Sequence, residues 1–181
     1  MDQQVLNIHH ELIARCREGD SNAHFRLYKL YSRAMYNVGF RITGNEADAE
    51  DALQEAFISA FRSLESYRGD ASFGAWLKRI VVNKAINLVK QRKHEPIPDD
   101  EHWDVAEESE VAEYKGELTI DRVKYAIEQL PDGYRSVLSL YLIEGYDHQE
   151  IGEIMGITES TSKSQLNRAK SKLKEILTAR I

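Results

Sequence analysis

Apolar residues recur three and four positions apart along most of this chain, the spacing that collects them on one side of an α-helix. Phe25, Tyr28, Leu30, Tyr31, Met35, Val38 and Ile42 form one such stripe before Gly44. Leu53, Ala56, Phe57, Ala60, Phe61 and Leu64 form the next, and Phe73, Trp76, Leu77, Ile80, Val81, Ile86 and Val89 a fourth-helix stripe. A shorter amphipathic helix is predicted at about 8–18, stopped by Gly19. Asp20 or Ser21, Asn45 and Ser72 stand where helix N-caps are needed. No long alternating run suggests a strand, so the expected fold class is all-α.

The chain has three prolines, and Pro96 and Pro98 end the first set of helices. Helices resume near Leu118: one over about 120–130 that stops at Pro131, one that carries Val137, Leu138, Leu140, Tyr141 and Leu142 to Gly145, and two more over about 148–155 and 160–177. The reading is two small helical domains, 1–94 and 118–181, joined by a linker over 95–117.

Charge sharpens that division. The net charge of −6 is a poor match to a nucleic-acid partner if taken as one number. Residues 1–94 carry 14 basic and 11 acidic side chains, and residues 118–181 carry nine of each. The linker holds ten acids and one base, so the acidity lies largely outside the two domains.

Several classes of chemistry find no support. There is no glycine-rich phosphate loop ending in Lys-Ser or Lys-Thr and no His-Glu-x-x-His, and no enzyme activity is expected. Adjacent His9 and His10 would project about 100° apart on a helix, which disfavours a shared metal site. Cys16 is the single cysteine and reads as a core thiol in a reducing compartment. No apolar run reaches the roughly 18 residues of a membrane span, and the first residues lack a signal-peptide core. The expectation is a cytoplasmic protein with no cofactor, metal or membrane insertion.

The positive signals concern DNA. In His148–Leu173 a short helix, the turn Gly156-Ile157-Thr158 and a second helix follow one another, as in a helix-turn-helix. Gly152 is small where two helices would cross closely, and Gly156 can adopt positive φ. The second helix carries Thr161, Lys163, Ser164, Gln165, Asn167 and Arg168, then Lys170, Lys172 and Lys174. Asn and Gln suit adenine, Arg and Lys suit guanine, and lysines suit phosphates. Leu166, Ala169, Leu173 and Ile176 form its inward stripe. Further upstream, Lys78 to Lys93 contains six bases and no acid, preceded by Arg68, Phe73 and Trp76. Rings with cations suit unpaired bases, although Trp76 taken alone is better placed in a core.

Two segments now resemble a known family. Asp48-Ala49-Glu50-Asp51-Ala52-Leu53-Gln54-Glu55-Ala56-Phe57, followed by Phe73-Gly74-Ala75-Trp76-Leu77-Lys78-Arg79-Ile80-Val81-Val82-Asn83-Lys84, is similar to the first domain of the sigma-70 family. Leu130-Pro131-Asp132-Gly133-Tyr134-Arg135 through Gln165-Leu166-Asn167-Arg168-Ala169 resembles its last domain. A chain with only these two domains is laid out like an extracytoplasmic-function (ECF) sigma factor.

That resemblance implies partners and roles. The chain would bind core RNA polymerase, at the β′ clamp helices and the β subunit, with Asp48, Asp51, Gln54 and Glu55 on the docking face. Arg68, Phe73, Lys78, Arg79, Asn83, Lys84 and Asn87 would read and help melt the −10 element of promoter DNA, with Trp76 supporting the pocket. Thr161, Lys163, Ser164, Gln165, Asn167, Arg168, Lys170 and Lys172 would read the −35 duplex. An anti-sigma factor is a further candidate partner. Two positions depart from the family pattern: Ser162 stands where an apolar residue is usual, and Gln165 where a base is usual. The competing reading is a one-component helix-turn-helix regulator with a helical dimerisation or sensing domain, which would leave the acidic third helix and the basic fourth helix unexplained.

Overall fold

A computed structural model describes residues 9–92 and 119–179, and the acidic linker expected at 95–117 lies outside them. All regular elements among the described residues are helical. The chain divides into two compact units, Met1–Gln91 and Arg92–Ile181.

The first unit contains α1 (His10–Arg17), α2 (Ser21–Thr43), α3 (Glu46–Arg62) and α4 (Phe73–Gln91), with a 3₁₀ turn at Leu64–Ser66. Asp20, rather than Ser21, caps α2. Its Oδ1 accepts from the N–H groups of Asn22 and Ala23 at 2.9 and 3.1 Å, while Oδ2 accepts from Arg15 Nε at 2.9 Å. Gly44 ends α2 at φ 61° and Asn45 caps α3, so two adjacent residues reverse the chain. Helices α2, α3 and α4 pack on one another around Leu27, Ile42, Phe57, Leu77, Val81, Val82 and Ile86, all buried. Each such side chain contributes about 1.5–3 kcal/mol of burial. Ala49, Ala52, Ala56 and Ala60 form the inner edge of α3. Gly39 of α2 faces Ala49 and Ala52, so the two backbones approach closely there.

The second unit contains α5 (Ile120–Glu128), α6 (Asp132–Leu138), α7 (His148–Met155) and α8 (Glu159–Thr178), and α8 packs against the other three. The helix expected to run from 132 toward Gly145 changes character at Ser139, where a π-helical turn spans Ser139–Ile143. This wider turn carries Leu140 into the core but leaves Tyr141, Leu142 and Ile143 at the surface. Arg135 is buried, and its guanidinium donates to the Leu130 carbonyl at 2.9 Å and to the Asp132 carboxylate. The buried cation thus holds the end of α5 against the start of α6, and its partners offset desolvation.

Candidate nucleic-acid interface

Helices α7 and α8 form a tightly specified pair. Asp147 and Glu150 close a reciprocal capping box at the start of α7, with bonds of 2.8 and 2.9 Å. Gly156 ends α7 at φ 70°. The Gly152 carbonyl accepts from the N–H groups of Gly156 and Ile157 at 2.8 and 3.0 Å. A Cβ on Gly152 would come within 2.8 Å of the Ile157 carbonyl oxygen. The glycine is therefore required by the turn backbone rather than by a neighbouring helix. Thr158 caps α8, accepting from the Thr161 N–H at 3.1 Å.

The buried stripe Ser162, Gln165, Leu166 and Ala169 fixes which side of α8 faces solvent. Lys163, Ser164, Asn167, Lys170 and Lys172 are exposed, and Thr161 and Arg168 are half-buried beside them. Lys163, Asn167, Lys170 and Lys174 fall on a single stripe at helical spacing, all four exposed. Lys163 Nζ pairs with Glu159 at 2.6 Å and Lys172 with Glu175 at 2.8 Å, so phosphates would have to displace local acids.

Gln165 corrects the sequence reading. It is 4% exposed and its Oε1 has no hydrogen-bond partner among the described residues. Its position three residues after Ser162 and four before Ala169 places it on the inner face of α8 rather than on the exposed stripe. Ser162 is also fully buried, and its Oγ lies 2.9 Å from His148 Nδ1. His148 in turn stacks on Tyr141 with centroids 4.4 Å apart. At Ser162, where the family usually has an apolar residue, a hydrogen bond ties α7 to α8.

In the first unit, α4 presents Arg79, Asn83, Asn87 and Lys90 as an exposed stripe, flanked by half-buried Lys78 and Lys84. No acid lies between Phe73 and Gln91. Arg68 is exposed on the loop before α4. Phe73 is not at this surface. It is 2% exposed, with Tyr31, Tyr67 and Trp76 rings at centroid distances of 5.2, 5.6 and 5.6 Å. The first apolar position of α4 is core because it shares a face with Leu77 and Val81. Trp76 is half-buried against Tyr67 and Phe73 and forms the floor between core and surface. Gly74 makes room for Tyr31, whose Cε1 would lie 3.0 Å from a Cβ.

Tyr67 anchors the loop, a role that the sequence reading missed. Its ring is 5% exposed, and its hydroxyl donates to the Ala71 carbonyl at 2.8 Å. Burial pushes the phenol above its usual range. The signal for it was a tyrosine beside Arg68-Gly69-Asp70, where a wholly solvated loop would not place a large ring.

Helix α3 carries the acidic face. Asp51, Gln54 and Glu55 are exposed and Asp48 is half-buried in the first turn. Ile58 continues this face one turn beyond Gln54 and is 51% exposed. Ile58 belongs to neither the acidic run nor the buried stripe, so the sequence pattern does not single it out.

Comparison with known proteins follows the same division. The Sigma-70 region 2 pattern matches residues 27–95, and the Sigma-70, region 4 pattern matches residues 120–173. ECF RNA polymerase sigma factor SigW of Bacillus subtilis is 31% identical over 179 residues, covering 91% of this chain and 94% of SigW. This chain belongs to the sigma-70 family, in its ECF group. ECF RNA polymerase sigma factor SigE of Mycolicibacterium smegmatis is 32% identical over 156 residues, covering 83% of this sigma factor but 60% of SigE, so this chain spans less than two thirds of that relative. The sigma factor RpoE of Bartonella quintana, solved with the anti-sigma factor NepR, shares the fold with a TM-score of 0.56 at 23% identity, over 86% of this chain and 97% of RpoE.

Among the described residues no helix is long and apolar enough to cross a membrane. No group of three His, Cys, Asp or Glu side chains there could hold a metal ion.

Proposed function

We propose that this ECF sigma factor binds core RNA polymerase and directs it to promoters in the cytoplasm, performing no chemistry of its own. The observation that carries the proposal is the pairing of the two matched regions with two separate basic helix faces, on α4 and on α8. Arg68, Lys78, Arg79, Asn83, Lys84 and Asn87 contact the −10 element, and Lys163, Ser164, Asn167, Arg168, Lys170 and Lys172 contact the −35 duplex with Thr161 at the helix start. Buried Phe73 and Gln165 support these surfaces from inside.

The division of labour has a physical basis. Cations hold phosphates and set register without reading sequence. Asn167 and Arg168 supply base-edge contacts worth about 1–3 kcal/mol each. Taking a −10 base out of the stack costs a few kcal/mol, which the Arg68 loop and the α4 stripe offset by binding the unpaired strand. Binding energy then helps open the duplex without ATP.

Asp48, Asp51, Gln54 and Glu55, extended by Ile58, form the polymerase-docking face. An acidic rim around an exposed apolar residue suits a basic, partly apolar partner such as the β′ clamp helices. The β subunit and an anti-sigma factor are further partners under this reading. A one-component regulator would have no use for the α3 face. The test is co-elution of the Asp51→Arg, Gln54→Ala variant with core polymerase. Loss of co-elution with helicity intact is expected, and unchanged co-elution would overturn the docking face.

A further inference from the structure

Arg17 stands on α1, outside every surface assigned so far, yet its guanidinium reaches the segment that leads into the −10 loop. Nη2 donates to the Tyr67 carbonyl at 2.6 Å and lies 3.4 Å from the Leu64 carbonyl. These carbonyls belong to the 3₁₀ turn at Leu64–Ser66 and to the residue that follows it. The Leu64 carbonyl also accepts from the Tyr67 N–H at 3.2 Å, and a cation from 50 residues upstream adds a charge-assisted bond at the end of the turn.

The same tyrosine is fixed at its other end. The Tyr67 hydroxyl donates to the Ala71 carbonyl, its ring packs on Phe73 and Trp76, and Gly69 between them turns at φ 82°. Arg68, Gly69 and Asp70 are thus held as a short arch, with Arg17 clamping its entry and the Tyr67 hydroxyl closing its exit. Both bonds end on main-chain carbonyls, with Tyr67 buried and Arg17 itself exposed. Their shared effect is to fix the path of the backbone that presents Arg68.

We propose that Arg17 and Tyr67 are positioning residues for −10 recognition, which preform the Arg68–Asp70 arch so that a captured base meets a fixed surface. This rests on the proposed role of the loop in reading the melted −10 strand. A loop ordered beforehand loses less conformational entropy on binding, and it favours the base that fits over bases that would need the loop to move. Loss of the clamp should therefore reduce discrimination among bases more than it reduces total binding, because the α4 cations are untouched.

The experiment uses the full-length chain bound to core RNA polymerase and a short single-stranded DNA pool randomised at every position, sequenced before and after capture. The readout is the ratio of preferred to disfavoured base at the most selective position, beside total DNA captured and the melting temperature of the free chain. Tyr67→Phe keeps the ring and removes only the bond to Ala71, so it reports even if Arg17→Ala folds poorly. Arg17→Lys retains a cation and should recover part of the effect. A fall in the base ratio of about threefold to tenfold, the range for one or two hydrogen bonds, is expected in Tyr67→Phe and Arg17→Ala. Total capture should stay within about twofold, as expected where phosphate contacts are retained. An unchanged base ratio, or equal losses for preferred and disfavoured bases, would overturn the positioning role. A wild-type complex with no base preference at any position would instead overturn the reading of the loop itself.

Discussion

Lys84 Nζ on α4 lies 3.4 Å from Glu55 Oε2 on α3. The face assigned to polymerase and the face assigned to melted DNA therefore share an ion pair. The two side chains are 31% and 55% exposed, so the pair contributes only about 0–1 kcal/mol to stability. Its larger effect is on availability, because Lys84 is partly neutralised while Glu55 is beside it.

Glu55→Gln is accordingly expected to leave the melting temperature nearly unchanged and to tighten single-stranded DNA binding by about twofold to fivefold at low salt, the worth of one exposed pair. Fluorescence anisotropy at low and high salt measures it. Equal or weaker binding by the variant would show that Glu55 does not restrain Lys84.

Gly152→Ala drives a methyl group against the Ile157 carbonyl at 2.8 Å. The turn must open by several tenths of an ångström, and the obstacle is backbone rather than a movable side chain. The expected cost is about 1–3 kcal/mol, in the range for forced overpacking. Thermal unfolding of the isogenic pair checks the magnitude, and −35-dependent transcription should fall with it.

Gln165 and Asn167 separate the inner and outer faces of α8. Gln165→Met is close in shape and removes a buried oxygen that has no partner among the described residues. It is expected to stabilise the protein by about 1–3 kcal/mol and to leave transcription from a matched −35 template intact. Asn167→Ala, at an exposed position, should leave stability unchanged and reduce that transcription. The opposite pattern in paired melting and run-off assays would mean that Gln165 faces DNA.

Much of this was legible because helical periodicity reports burial directly. Gly44-Asn45, Gly156 and the α7–α8 pair fall where glycine and capping chemistry place them. The all-α class follows from the same pattern. What the chain order concealed was the direction of individual side chains near the edge of a stripe. Gln165 is polar and lies among DNA-binding residue types, yet it is three residues from Ser162 and projects inward. Phe73 opens α4 next to a basic run, but a ring at the first turn meets Tyr31 of α2, far away in sequence, as well as nearby Tyr67. The Arg17–Tyr67 bond spans 50 residues, and the Ser162–His148 bond crosses two helices. No local pattern encodes such contacts.

Asp20 supplies a pH test of the fold. The Arg15 guanidinium, followed by the Ala23 N–H, holds the Asp20 carboxyl below its usual range. With the folded value below the unfolded one, its stabilisation is complete above the usual carboxylate value of about 3.9 and is lost as pH falls through the depressed value. Asp20→Ala should melt below the wild type at neutral pH, and the gap should close only well below about pH 4. Circular dichroism melts across acid pH check it; a gap that is independent of pH would exclude the charged cap as its source.

If the proposed function holds, this chain gives core polymerase its choice of start site. The decisive assay is in vitro run-off transcription with sigma-free core enzyme, the purified chain and a broad library of promoter templates. Transcripts are expected to begin at defined positions on a subset of templates sharing −10 and −35 elements, and only when the chain is present. Transcription that is absent, or equally distributed over matched and scrambled templates, would contradict the proposed function.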